Sequence, residues 1–149
     1  MASQTTIQTK ASAQDYSLWK YAIAGAISGL ATGFANNIWV FLYPYIFGLD
    51  EPPGIDAIAV SGASFVPVLV ASFVFYFLTL KSVKKGTRLY IIGGVILFLA
   101  SLYGPFNPAI TGMYPDGIVP ENFALFTIPM HIIVALGALI MVPRFVLTD

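Results

Sequence analysis

The side chains best suited to chemistry in this sequence are His131, the adjacent pair Asn36 and Asn37, and the serines Ser61 and Ser64. Each sits inside a long apolar stretch. Counted from the ends of those stretches, Asn37 lies ten residues inside Phe47, Ser64 seven inside Ala57 and His131 eight inside Phe123. At 1.5 Å of helix per residue these depths are about 10–15 Å, so three stretches bring their most polar side chains to one level. An ionisable group at such a depth is a functional candidate that faces the interior of a bundle. Asn36, Asn37, Ser61, Ser64 and His131 together could bind a small amphipathic molecule such as a lipid or a quinone, with His131 as a titrating element. The plainer alternative is structural. A neutral imidazole donating to Asn or Ser across a helix interface contributes about 0.6–2 kcal/mol and does nothing else.

Other chemistry fits poorly. A metal site needs more ligands than one His with no Cys and no carboxylate inside any apolar stretch. A Ser64–His131 hydrolase would need a buried acid to orient the imidazole, and none is present. An enzyme would have to borrow Asp116 or Glu121 from a loop. No catalytic residue, metal ligand or cofactor is therefore expected.

The elements that must position these residues are four apolar runs, over about 18–47, 57–80, 87–103 and 123–145. A bilayer core about 30 Å thick takes ~20 helical residues to cross, and each run meets or approaches that length. The expected fold is an all-α membrane protein, a four-transmembrane-helix antiparallel bundle over residues 16–149. Residues 1–15, rich in Ser, Thr and Gln without apolar period, read as a mobile cytoplasmic tail. Gly33-Phe34-Ala35 resembles a signal-peptide cleavage site. The apolar character continues well beyond it, longer than the roughly 7–15 residues of a signal core, so the first run is expected to be retained as a span.

Composition agrees. Charged residues are 9% of the chain, against about 25% in soluble domains. The formal net charge is zero and no basic patch is interleaved with aromatics, which argues against nucleic acid as a partner. The absence of cysteine excludes disulfides and thiolate chemistry.

The charges that exist are sorted by side. Lys81, Lys84, Lys85 and Arg88 follow the second run, Lys10 and Lys20 precede or open the first, and Arg144 closes the last. Asp50, Glu51, Asp56, Asp116 and Glu121 occupy the other two connections, which have no Lys or Arg. The positive-inside rule then puts both termini in the cytoplasm and predicts a multi-pass protein of the plasma (inner) membrane. Trp19, Tyr21, Tyr43, Tyr45, Tyr90 and Tyr103 lie near run ends, where aromatic rings favour the headgroup layer.

Gly25, Gly29 and Gly33 make two overlapping GxxxG steps, a face on which another backbone can approach closely. Asn37 extends that row, and Ser28, Thr32 and Asn36 form the next. This small, polar face must look into protein, because lipid satisfies no amide. It serves either a packing groove within the chain or a homo-oligomer or partner interface. Pro67 is expected to kink the second helix. Gly104-Pro105 marks the end of the third, and Thr127, His131, Ala135 and Ala138 share one face of the fourth. The connection from Gly104 to Asn122, with Pro105, Pro108, Pro115, Pro120, Phe106 and Tyr114, is either an ordered cap over the polar layer or a plain connector.

Ala100-Ser101-Leu102-Tyr103-Gly104-Pro105-Phe106, Met130-His131 with Ala135 and Val142-Pro143-Arg144, and the Gly-rich helix leading to Asn36-Asn37 carry a resemblance over nearly the whole chain. With the spans placed, the sequence resembles a family of uncharacterised four-helix bacterial integral membrane proteins. That resemblance implies the fold and a bacterial membrane setting, and brings no substrate, cofactor or reaction.

Two functions follow. The first is a non-enzymatic scaffold or accessory membrane component packing through its Gly ridge. The second is a binder, sensor or transporter of a small amphipathic ligand at the polar layer. A transporter of the inverted-repeat kind is disfavoured, since no two halves of the chain show internal similarity.

Overall fold

The computed structural model of the chain describes residues 17–107, Tyr114 and residues 119–148. The expected tail over 1–15, with Lys10, and the loop residues Pro108, Pro115 and Asp116 lie outside the described residues.

Helix α1, Leu18–Phe47, starts where Ser17 accepts the Lys20 N–H at 3.4 Å. It stops at Gly48, whose φ of 64° is the left-handed conformation that glycine adopts without penalty, and whose N–H bonds the Pro44 carbonyl at 2.8 Å. Helix α2, Ala57–Thr79, is capped by the Asp56 carboxylate on the Ala59 N–H at 2.7 Å.

Helix α3 runs Val83–Ser101, beginning four residues before the expected 87. Ser82 caps it through the Lys85 N–H, so Lys84, Lys85 and Arg88 belong to its first turns rather than to a loop. The tight α2–α3 turn depends on Gly86, because a Cβ there would overlap the Leu78 carbonyl and come within 2.8 Å of the Thr79 Cα. Gly104 and Pro105 do not end the segment as expected. They lie within a further helical turn, α4, Tyr103–Phe106, where the missing proline N–H falls in the first turn and is not needed.

The last stretch continues to Leu147, past the expected 145. It comprises α5, Phe123–Leu136, a five-residue π turn, Gly137–Met141, and α6, Val142–Leu147. Proline explains the π turn. In an α-helix the Pro143 ring would collide with the carbonyl four residues back, and widening the turn relieves that collision. The Val142 N–H accordingly bonds the Gly137 carbonyl, five residues back.

All elements among the described residues are helical. Three segments, Ala57–Thr79, Val83–Phe106 and Phe123–Leu147, are long and apolar enough to cross a membrane. The expectation of four such runs meets a difference at α1. Its 30 residues suffice in length, but Asn36, Asn37 and its Gly, Ser and Thr residues dilute its apolar character.

That polarity is turned inward. Tyr21, Ala24, Gly25, Ser28, Gly29, Thr32, Gly33 and Asn36 are buried, while Ile27, Leu30, Phe34, Ile38 and Phe41 are exposed. Polar-in and apolar-out is the arrangement a lipid solvent selects, since backbone and side-chain polar groups must then find partners within the protein. The Gly ridge meets α2. A Cβ on Gly25 would come within 2.7 Å of the Ser72 Cβ, and one on Gly29 within 2.8 Å of Phe65 Cδ2 and 3.1 Å of its carbonyl oxygen. At Gly33 the nearest atoms of Ser61 are 3.6 Å away, an ordinary contact. Rising numbers on α1 meet falling numbers on α2, so the two helices are antiparallel.

The core gathers Tyr21, Ala24, Val68, Phe75, Tyr90, Val142 and Val146. Three aromatics assigned to the headgroup layer are thereby corrected: Tyr21 and Tyr43 are fully buried and Tyr90 is 4% exposed. Tyr21 shares the i, i+4 row of Gly25 and Gly29, and its hydroxyl lies 2.7 Å from Thr79 Oγ1. Trp19, Tyr45 and Tyr103 are exposed.

Candidate functional site

Asn36 is the centre of the polar layer. Its Nδ2 donates to Ser64 Oγ on α2 at 2.8 Å and to the Met130 carbonyl on α5 at 3.4 Å. These bonds fix the amide orientation. Met130 O can only accept, and the Ser64 proton is already engaged with the Val60 carbonyl at 2.7 Å. Asn36 is 1% exposed, and its Oδ1 has no partner. A buried unpaired amide oxygen costs about 1–3 kcal/mol. Ser28 Oγ and the Tyr43 hydroxyl on the same helix are also buried without a partner, but neither residue lines the cleft that Asn36 borders.

Asn36 forms part of the wall of a cleft between α2, α3 and α5, with a cavity of about 790 Å³. That volume lies within the roughly 300–1,000 Å³ of small-molecule sites. The cleft reaches from Leu78 and Leu89 at one end to Ile55, Pro105 and Phe123 at the other, and its wall is overwhelmingly apolar. It exists because α3 packs loosely. Only 11% of the most apolar stretch of Val83–Phe106 is buried, whereas α1 and α2 interlock through glycine. Pro67 lies in the wall, and its lack of an N–H frees the carbonyl of Ala63, another wall residue.

His131 also lines the cleft. Its Nδ1 is 2.9 Å from the Thr127 carbonyl one turn earlier. A carbonyl only accepts, so Nδ1 carries the proton and Nε2 of the neutral ring carries a lone pair. Nε2 meets no protein partner among the described residues.

The structure thus divides the five polar residues expected to act together. Asn36, Ser64 and His131 line the cleft. Asn37 and Ser61 do not. They form a separate pair on the α1–α2 seam, where Asn37 Nδ2 donates to Ser61 Oγ at 2.9 Å and to the Gly33 carbonyl at 2.8 Å. Consecutive helical residues point about 100° apart, which separates Asn36 from Asn37.

Three further polar residues of the wall escaped the sequence reading as site members: Tyr90, Ser101 and Thr127. Tyr90 donates to the Ala138 carbonyl at 2.8 Å, across to the π turn, where Pro143 supplies no N–H. Its signal was spacing, since Tyr90, Gly94 and Leu97 fall on one face of α3 and all line the cleft.

Residues of the α1–α2 and α4–α5 connections meet near the Ile55–Phe123 end of the cleft. Asn122 Nδ2 donates to the Asp50 carbonyl at 3.0 Å, and the Tyr114 hydroxyl reaches the Pro53 carbonyl at 3.3 Å while its ring stands edge-on to Phe123. Desolvation raises the Tyr114 phenol above its ordinary pKa. Trp39 Nε1 donates to the Phe126 carbonyl at 2.8 Å and ties α1 to α5 at this level. No group of three His, Asp or Glu side chains gathers among the described residues.

No family model, no curated protein and no solved structure matches the chain.

Proposed function

We propose that this chain is a four-span protein of a bacterial plasma membrane, with both termini cytoplasmic, and that it holds one small amphipathic molecule of the lipid or quinone class in the α2–α3–α5 cleft. Three apolar helices and an α1 whose polar face is buried apart from the half-buried Asn37 support four crossings. The Lys/Arg asymmetry supports the orientation. The bacterial setting rests on the resemblance carried by Ala100–Phe106 and Met130-His131.

One observation carries the ligand reading. Asn36 lines a large apolar cleft and its fully buried amide oxygen Oδ1 has no partner, while His131 on the same wall leaves Nε2 open. Buried polar atoms are ordinarily satisfied, and a ligand head group would satisfy this one. The apolar length of the cleft suits a hydrocarbon chain. The scaffold reading draws its force from the Gly ridge, and Gly25 and Gly29 already have Ser72 and Phe65 against them. A small polytopic binding protein without catalytic machinery is therefore the reading the geometry favours.

Native mass spectrometry of the protein released from nanodiscs tests it. The expected spectrum contains a retained species of fixed mass that is reduced or absent in His131→Ala. A clean oligomer with no retained species would sink the ligand reading and return attention to the scaffold.

A further inference from the structure

The hydrogen atoms of the cleft can be assigned one by one. Six polar side chains line it: Asn36, Ser64, Tyr90, Ser101, Thr127 and His131. Both Asn36 amide protons are engaged, with Ser64 Oγ and the Met130 carbonyl. The Ser64 hydroxyl donates to Val60 O at 2.7 Å, Thr127 to Phe123 O at 2.7 Å and Ser101 to Phe98 O at 2.7 Å. Tyr90 donates to Ala138 O and His131 Nδ1 to Thr127 O. Every donor is committed to a protein carbonyl or hydroxyl. What remains open is lone pairs, chiefly Asn36 Oδ1 and, in the neutral ring, His131 Nε2. The carbonyl of Ala63, freed by Pro67, adds another acceptor of the same kind.

We propose that the cleft recognises its ligand through a donated proton: it takes the hydroxyl head of a chain molecule, an isoprenoid alcohol or a prenylated hydroquinone, in preference to the matching ether or quinone. This rests on the reading of the cleft as a ligand site and narrows its chemistry. A ketone, an ether oxygen or an anionic phosphate presents only lone pairs, and would set acceptor against acceptor in a water-poor wall. A hydroxyl donates to His131 Nε2, or to Asn36 Oδ1, and in the second case satisfies the unpaired oxygen. A hydroquinone has two such protons. Oxidised to the quinone, it has none, so occupancy of this cleft would follow the redox state of the ligand.

The test uses matched probes in nanodiscs carrying the full chain, with native mass spectrometry reading competition at equal loading. Geranylgeraniol and its methyl ether share an apolar chain and differ by one donor. The expected result is a preference for the alcohol of roughly tenfold, the scale of one net hydrogen bond. In Asn36→Leu and, independently, His131→Phe, that preference shrinks while ether binding persists. The His131 variant keeps the Asn36–Ser64 contact and so guards against a folding artefact. Equal retention of alcohol and ether by the unaltered chain overturns donor recognition and leaves the cleft a ligand site. Retention of neither overturns both. A prenylated hydroquinone and its quinone, loaded separately in the absence of oxygen and of any added reductant, separate the sources. Preference for the hydroquinone supports the proposal with a redox lipid as occupant, and preference for the quinone overturns it.

Discussion

Asn36 on α1 donates to Ser64 on α2 at 2.8 Å, yet the same amide leaves its oxygen buried and unpaired. Through its nitrogen Asn36 ties two helices together at mid-depth. Its oxygen stays buried and unpaired in a residue that lines the cleft. Several measurements separate these features from the general packing of the bundle.

Replacing Asn36 by Leu should cost no more than about 2 kcal/mol of stability, because removing the unpaired oxygen offsets part or all of the lost inter-helix bond. The loss is also limited because the Ser64 hydroxyl keeps its bond to the Val60 carbonyl. Unfolding by denaturing detergent, followed by circular dichroism, measures it. A loss above about 4 kcal/mol would mean that the side chain does more than bridge two helices.

The glycine ridge should be graded along its length. Gly29→Ala places a methyl 3.1 Å from the Phe65 carbonyl oxygen and 3.3 Å from its Cα, both backbone atoms, and should destabilise by about 1–3 kcal/mol through overpacking. Gly33→Ala meets nothing nearer than 3.6 Å and should be close to neutral. Equal effects at the two positions would contradict the α1–α2 approach described above.

Tyr90 and Pro143 should be coupled. Tyr90→Phe removes the donor to the Ala138 carbonyl and should cost about 1–3 kcal/mol. In a Pro143→Ala background the new N–H can serve the carbonyls of the π turn, so the same change should cost less. A double-mutant cycle reads the difference directly, and strict additivity would show that the π turn does not depend on this pairing.

Orientation can be tested cleanly because the chain has no cysteine of its own. With a membrane-impermeant maleimide outside intact cells, Glu51→Cys and Glu121→Cys should react. Lys81→Cys and Thr148→Cys should react only after the membrane is opened. The reverse pattern would invert the topology that Lys/Arg placement supports.

Much of this protein is determined by local chemistry. Runs of apolar residues long enough for a bilayer, the caps Ser17, Asp56 and Ser82, and the sorting of Lys and Arg are properties of short segments. They set where the helices lie and supply the charge asymmetry on which the proposed orientation rests. The shared depth of Asn37, Ser64 and His131 was legible too, because helical rise converts residue number into depth without reference to any neighbour, and Asn36 sits one residue from Asn37. Even the inward face of α1 could be read, since Gly, Ser, Thr and Asn recur on one side of it.

Rotation and spacing of the helices about one another were not legible, and those decide the site. Whether Asn36 or Asn37 faces the cleft turns on about 100° of helix rotation, which only packing against α2 and α5 sets. The cleft itself is a remainder: α1 and α2 close on glycine, Pro143 widens α5 into a π turn, and α3 cannot follow both. A sequence of apolar residues does not encode that gap, because a cavity is a property of three surfaces that fail to meet. The unpaired oxygen of Asn36 is decided at the same level, since a hydrogen bond left unmade is visible only when every possible partner has been placed.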